Sequence, residues 1–209
     1  MLGAILLGSL QLILLAGGRF TGMRSYIDLA FMGAAFLLLE TKNIVQFALL
    51  FGTTWLVNAL VMAGVLVAVL AAVEVSRHVV VRRPALLYAA LLAALVVAWA
   101  VPPESLLTLS PLPRFAVAVV IAFAPIFVAN MVFAQRFRTT GDSGTAFGAN
   151  LLGAILGGVL EYSSLIAGYR WLLVVVALLY GLAFITGRGH LRAVSREAPS
   201  GSPMAEAAR

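Results

Sequence analysis

The chain has 209 residues, 63% of them hydrophobic and only 11% charged, and its mean hydropathy is +1.07. Soluble domains carry about 25% charged residues, so the composition excludes an ordinary soluble domain and specifies an integral membrane protein. The net charge of +6 does not mark a nucleic-acid binder: Arg77, Arg82, Arg83, Arg136 and Arg138 fall in short connectors between apolar runs, where they set membrane orientation. Cysteine is absent, which excludes a disulfide framework, a thiolate metal site and a cysteine nucleophile.

Seven apolar segments follow one another. The first, Leu2 to Ala16, starts without a basic n-region and reads as a retained helix, not a cleaved signal. A connector with Arg19, Arg24 and Asp28 leads to the second, Leu29 to Phe51, which is interrupted by Glu40, Thr41, Lys42 and Asn43. Gly52-Thr53-Thr54 breaks the chain before the third, Trp55 to Val75. A basic connector through His78 to Pro84 precedes the fourth, Leu86 to Val101, and a proline-rich loop with Glu104 and Arg114 precedes the fifth. The fifth spans Phe115 to Ala134 with Pro125 inside, a kink that a packed bundle tolerates. The sixth runs Phe147 to Ala167, and a turn at Gly168-Tyr169-Arg170 gives way to the seventh, Trp171 to Thr186.

The expected fold is all-α: a polytopic transmembrane helix bundle over residues 1–187 with seven spans, or six if Leu29–Phe51 is re-entrant. A disordered cytoplasmic tail is expected over residues 188–209, which are rich in Ser, Pro, Gly, Ala and charge. Seven spans place Arg19, Arg24, Arg77–Arg83, Arg136, Arg138 and the tail on one side, and Glu104, Arg114 and Arg170 on the other. The richer side is cytoplasmic by the positive-inside rule, so the C-terminus is inside.

The Glu40–Asn43 island marks the candidate site. At membrane depth each charge costs roughly 2.5–3.5 kcal/mol. Two positions apart on a helix, Glu40 and Lys42 point to nearly opposite sides and cannot pair, so the helix unwinds or each charge finds a partner on another segment. Two readings compete: a site handling a proton, ion or substrate, and a buried ion pair that locks helices together. Glu161 is the second buried acid and Lys42 is the only lysine, which makes a Lys42–Glu161 pair the expected contact. Asn150, Ala154, Gly157, Glu161 and Ser164 share a narrow arc with Gly153 at its edge. The Gly153/Gly157 spacing admits a close-packed neighbour, so Asn150, Gly153 and Gly157 form a helix-packing face. Asn43, Gln46, Asn58 and Asn130 read as interhelical hydrogen-bonding amides, and Glu74 beside Arg77 and His78 as an interfacial group.

Other motifs carry no chemistry. Gly141-Asp142-Ser143-Gly144 resembles the nucleophile motif of chymotrypsin-like proteases, but the histidines, His78 and His190, sit in a connector and the tail and build no triad. The glycines at 141, 144 and 148 follow no strand and so form no phosphate loop. An echo between Leu2–Gly8 and Leu152–Gly158 is short enough to arise by chance in a Leu/Ala/Gly-rich chain.

Three stretches carry a family resemblance: Tyr26 through Lys42, with its Leu-Leu-Glu-Thr-Lys string; Leu50 through Ala59; and Phe147 through Ala154, continuing to Leu160-Glu161-Tyr162 and Gly168-Tyr169-Arg170. In that order they resemble the C-terminal membrane region of bacterial spermidine-synthase-like membrane proteins, large chains that join transporter-like helices to a domain resembling aminopropyltransferases. The resemblance covers Tyr26 to Ile185 and implies architecture. This chain has no soluble α/β domain, no glycine-rich cofactor loop after a strand and no acidic pair placed to hold a polyamine, so aminopropyl transfer does not carry over.

The resulting expectation is a small accessory or structural subunit of a larger membrane assembly. The alternative is a transporter-like module that moves a small cation, polyamine or proton through Glu40, Lys42 and Glu161. No enzyme activity, cofactor or metal is expected. The expected partners are the lipid bilayer and other membrane subunits or a second copy, without nucleic acid, and the expected location is the bacterial inner membrane.

Overall fold

The computed structural model describes residues 20–79, 81 and 83–197; the first apolar run, Leu2 to Ala16, lies outside them. The described chain is all-α. Its long helices are α1 (Ile27–Phe51), α2 (Trp55–His78), α3 (Pro84–Ala100), α4 (Pro111–Phe137), α5 (Ser143–Leu160) and α6 (Trp171–Glu197). Short helical turns at Phe20–Met23, Arg24–Tyr26, Pro103–Leu106, Glu161–Ser163 and Ser164–Ala167 trim the connections. By length and composition four stretches can cross a membrane, Arg24–Phe51, Trp55–His78, Pro111–Phe137 and Ser143–Ala167; Pro84–Ala100 and Trp171–Gly187 are shorter apolar helices.

Local sequence explains each boundary. Gly52 takes φ +97°, a conformation side chains resist, and its N–H closes α1 on the Ala48 carbonyl at 2.9 Å. Thr54 then caps α2, its Oγ1 accepting from Val57 N at 3.2 Å. Prolines 84 and 111 open α3 and α4, where a missing N–H costs nothing. Asp142 caps α5, accepting from Gly144 N at 3.0 Å and Thr145 N at 3.1 Å.

Two expectations change here. Helix α1 runs unbroken through Glu40–Asn43, so the re-entrant alternative with six spans is not the conformation adopted. Lys42 finds partners on its own helix, which removes the need to unwind. The last helix continues to Glu197, eleven residues beyond the expected end at Thr186, and the rest of the expected tail, 198–209, lies outside the described residues.

Helix α1 is the centre of the bundle. It packs along α5 and α6, with further contacts to α2 and α4, while α4 also packs on α2 and α3, and α3 on α6. Leu29, Met32, Ala35, Leu38 and Leu39 of α1 meet Leu172, Val176 and Tyr180 of α6 and Ala118, Ala122 and Ile126 of α4 in one core. Helix α2 buries only the stripe Val61, Val65, Ala72 and Ser76, and leaves Trp55, Leu60, Val67 and Leu70 more than half exposed. Such an apolar outer face suits lipid, not water.

Successive helices alternate in direction, so Arg24, Arg77, Arg83, Arg136 and Arg138 gather at one end and Glu104, Arg114 and Arg170 at the other. Cross-contacts tie the basic end together: Arg138 Nη1 donates to the Ser76 carbonyl at 2.7 Å, and Asp142 N to the Tyr26 hydroxyl at 3.1 Å.

Candidate functional site

The island residues separate onto different faces of α1. Lys42, Asn43 and Gln46 point into the core, each 2% exposed or less. Lys42 Nζ donates to Gln46 Oε1, one turn along the same helix, and to Asn43 Oδ1 at 3.3 Å. Asn43 Nδ2 in turn donates to the Ala122 carbonyl of α4 at 3.0 Å. That carbonyl lies in the turn before Pro125, next to the Ile121 carbonyl that the proline leaves without its helical N–H partner. Among the described residues no carboxylate lies within 4 Å of Lys42. The lysine is solvated by two amides.

The expected Lys42–Glu161 pair does not form. Helix α5 packs parallel to α1 against the Ala30, Ala34, Leu37 and Thr41 side; Lys42, one residue beyond Thr41, is turned about 100° away. Glu161 therefore meets Thr41, whose Oγ1 donates to Glu161 Oε2 at 3.3 Å. The acid is partly exposed and sits where α5 tightens into the turn Glu161–Ser163. Glu40 is also partly exposed, and no hydrogen bond or ion pair ties its carboxylate to another described residue.

The α1–α5 contact is backbone against backbone. A Cβ placed on Gly153 would land on the Ala30 carbonyl, one on Gly33 on the Asn150 carbonyl, and one on Gly157 would stand 2.6 Å from the Ala34 carbonyl oxygen. Asn150, Gly153 and Gly157 thus all lie along α1. Of the other amides, Asn130 bonds to Ile126 O of its own helix at 2.8 Å and Asn58 is exposed, so Asn43 alone among the four reaches another helix. Glu74 holds His78 at 2.9 Å and Arg77 at 3.3 Å on the exposed end of α2.

Helices α4 and α5 flank α1 without packing along one another, and a cavity of ≈ 150 Å³ opens between them. Its lining includes Gly33 and Phe36 of α1, Asn130 and Phe133 of α4, Asn150 of α5 and Tyr180 of α6. Glu40 lies one turn beyond Phe36 on the same face of α1.

Sequence reasoning missed one charged group. Asp28 and Arg136, read as connector residues, form an ion pair 2% and 3% exposed, with Arg136 Nε 2.5 Å from Asp28 Oδ2. The Arg136 guanidinium also stacks over the Tyr26 ring at 5.9 Å and bonds to Thr139 Oγ1 at 3.2 Å. The available signal was position: Asp28 adjoins one apolar run and Arg136 lies two residues past another, close enough for the helix to carry each inside the bundle. Among the described residues no three His, Cys, Asp or Glu converge as a metal site would require.

Compared with known proteins, the chain matches no family model, no curated protein and no solved structure.

Proposed function

We propose that the chain is a membrane-embedded subunit that assembles with another membrane protein through the outer face of α5 and its junction with α1. The observation that carries this reading is Glu161. It lies level with Thr41, about 15 Å short of the end of α1 at Phe51, and is partly exposed with only the Thr41 hydroxyl as partner among the described residues. An ionisable group at such depth is expensive unless something answers it, and among the described residues no cation pairs with it. Around it Leu156, Leu160 and Tyr162 are 54%, 40% and 52% exposed, an apolar surface that a transmembrane helix bearing a basic or amide side chain would cover. Lys42 is sealed by the amides of its own helix, and Asn43, bonded to the Ala122 carbonyl, is the pin between α1 and α4.

The basic end of the bundle is assigned to the cytoplasm of a bacterial inner membrane, which leaves the C-terminus inside. The resemblance to the membrane region of spermidine-synthase-like proteins runs through Glu40–Lys42 and Glu161, and supports a module of a larger transporter-like machine.

Gentle solubilisation followed by size measurement and mass spectrometry of co-purifying chains tests the proposal. A defined complex that Glu161→Gln dissolves is the expected result. A monomer whose behaviour Glu161→Gln leaves unchanged would refute it. A second reading, movement of a small cation or proton, draws on the cavity beside Phe36, Asn130, Asn150 and Tyr180. Flux that is unaffected by Glu40→Gln would eliminate that route.

A further inference from the structure

Helices α3 and α6 pack together and leave an apolar groove of ≈ 200 Å³, lined by Leu92, Val96 and Trp99 of α3 and Leu173 and Ala177 of α6. It opens outward, for Val96 is 63% and Trp99 52% exposed. We propose that this groove holds one acyl chain of a phospholipid whose phosphate is bound by Arg170.

The groove has the dimensions of its occupant. From Leu92 to Trp99 the helix rises about 10 Å, two thirds of the ~15 Å that one leaflet contributes to a ~30 Å hydrocarbon core. Its lining offers nothing polar to a chain, whereas its end does. Arg170 sits at the start of α6 with its guanidinium 5.8 Å from the Trp99 ring centroid and Nη2 donating to the Trp99 carbonyl at 2.5 Å. That is the one hydrogen bond it makes among the described residues, and no carboxylate lies within 4 Å. A guanidinium has five N–H donors in a fork that matches phosphate, so four remain. The adjacent Tyr169 hydroxyl also lacks a partner among the described residues.

Helix length brings the headgroup to the arginine. With 17 residues, α3 is about 25 Å long and falls short of the hydrocarbon core. A bilayer thins against so short a helix, which draws phosphates down towards Arg170. Trp99 and Trp171, both at this end, are of the type that anchors at that boundary. An apolar slot ending in an unspent guanidinium at the membrane surface fits a diacyl phosphate ester. A free phosphate would use the arginine and leave the slot empty.

The test is native mass spectrometry of the full chain in detergent, titrated in turn with phosphatidylglycerol, with glycerol phosphate and with diacylglycerol. One phosphatidylglycerol is expected to stay bound, with glycerol phosphate and diacylglycerol each weaker by about tenfold or more. Arg170→Gln is expected to weaken the lipid by at least about tenfold, the loss typical of a charge-assisted hydrogen bond. Ala177→Leu, which fills the groove away from Arg170, should weaken it as well. Equal binding of glycerol phosphate, or loss in Arg170→Gln alone, would reduce the site to a bare phosphate contact and overturn the proposal. Equal binding of diacylglycerol, or loss in Ala177→Leu alone, would reduce it to an apolar slot and overturn it equally. Should Arg170→Gln fail to fold, the three ligands on the unaltered chain and Ala177→Leu still decide the matter.

Discussion

Adding a single methyl group to Gly153 tests the parallel packing of α1 and α5. A Cβ there collides with the Ala30 carbonyl, and at Gly157 it would lie 2.6 Å from the Ala34 carbonyl oxygen. Ordinary contact begins near 3.4 Å, so Gly157→Ala requires 3.4 − 2.6 = 0.8 Å of helix separation, and Gly153→Ala requires more. The obstacle is backbone, which cannot rotate aside as a side chain can. Overpacking of this kind costs about 1–3 kcal/mol, against which alanine regains about 1 kcal/mol of helix propensity. Gly158→Ala is the internal control, because its Cβ meets only the end of the Leu37 side chain, Cδ2, at 3.4 Å, and Gly181→Ala meets nothing within 4 Å. We expect the controls to be neutral or stabilised by up to about 1 kcal/mol, with Gly153→Ala lying about 2 kcal/mol or more below them. Reversible unfolding in mixed micelles measures the difference. If Gly153→Ala proves as stable as Gly181→Ala, the close approach of the two backbones is wrong.

Three further outcomes follow from the charged groups. Removing either partner of the Asp28–Arg136 pair, with Asp28→Asn or Arg136→Met, should cost about 3–5 kcal/mol, and the double substitution much less than the sum because no charge is left stranded; additive losses in the same unfolding assay would contradict the pair. Lys42→Met should cost about 1–3 kcal/mol by stranding the oxygens of Gln46 and Asn43, and its coupling to Glu161→Gln should stay below about 0.5 kcal/mol, whereas a larger coupling would restore the discarded ion pair. The Thr145 hydroxyl and the Thr145 and Gly144 backbone N–H groups hold the Asp142 carboxyl below the usual carboxylate range. A lowered folded value means that its stabilisation is complete above the ordinary aspartate value of about 3.9 and fades as pH falls through the lower folded value. Protection of the amides in the first turn of α5, taken relative to their intrinsic exchange rates, should therefore fall only in acid, and Asp142→Asn should abolish that pH dependence.

The all-α architecture, the Gly52 break and the glycine face of α5 were legible because each depends on residue type at short spacing. An 18-residue apolar run has few alternatives to a helix in lipid, and a G-x-x-x-G spacing admits a backbone whichever helix supplies it. Partner choice was not legible. Lys42 was matched to Glu161 because opposite charges attract, yet a lysine can be solvated by a glutamine one turn along its own helix. Which of the two occurs depends on the rotation of α1 about its axis, fixed by α4 and α6 packing against its other sides, and no local pattern encodes that. Asp28 and Arg136 escaped notice for the converse reason. At the edge of an apolar run the sequence does not distinguish a residue in the connector from one inside the terminal turn of the helix, the first for Asp28 and the last for Arg136.

Among the described residues the buried charges Lys42 and Asp28 find their partners at very different sequence distances, and synthesis proceeds along that distance. Lys42 is satisfied by Gln46, four residues later, so α1 can leave the insertion machinery with its costliest charge already shielded. Asp28 must await Arg136, 108 residues downstream, which at about 5–20 residues per second is a delay of roughly 5–20 s. The group that waits is the one at the helix end, where water can attend it meanwhile. The group at mid-membrane carries its own solvation from the moment its helix is complete.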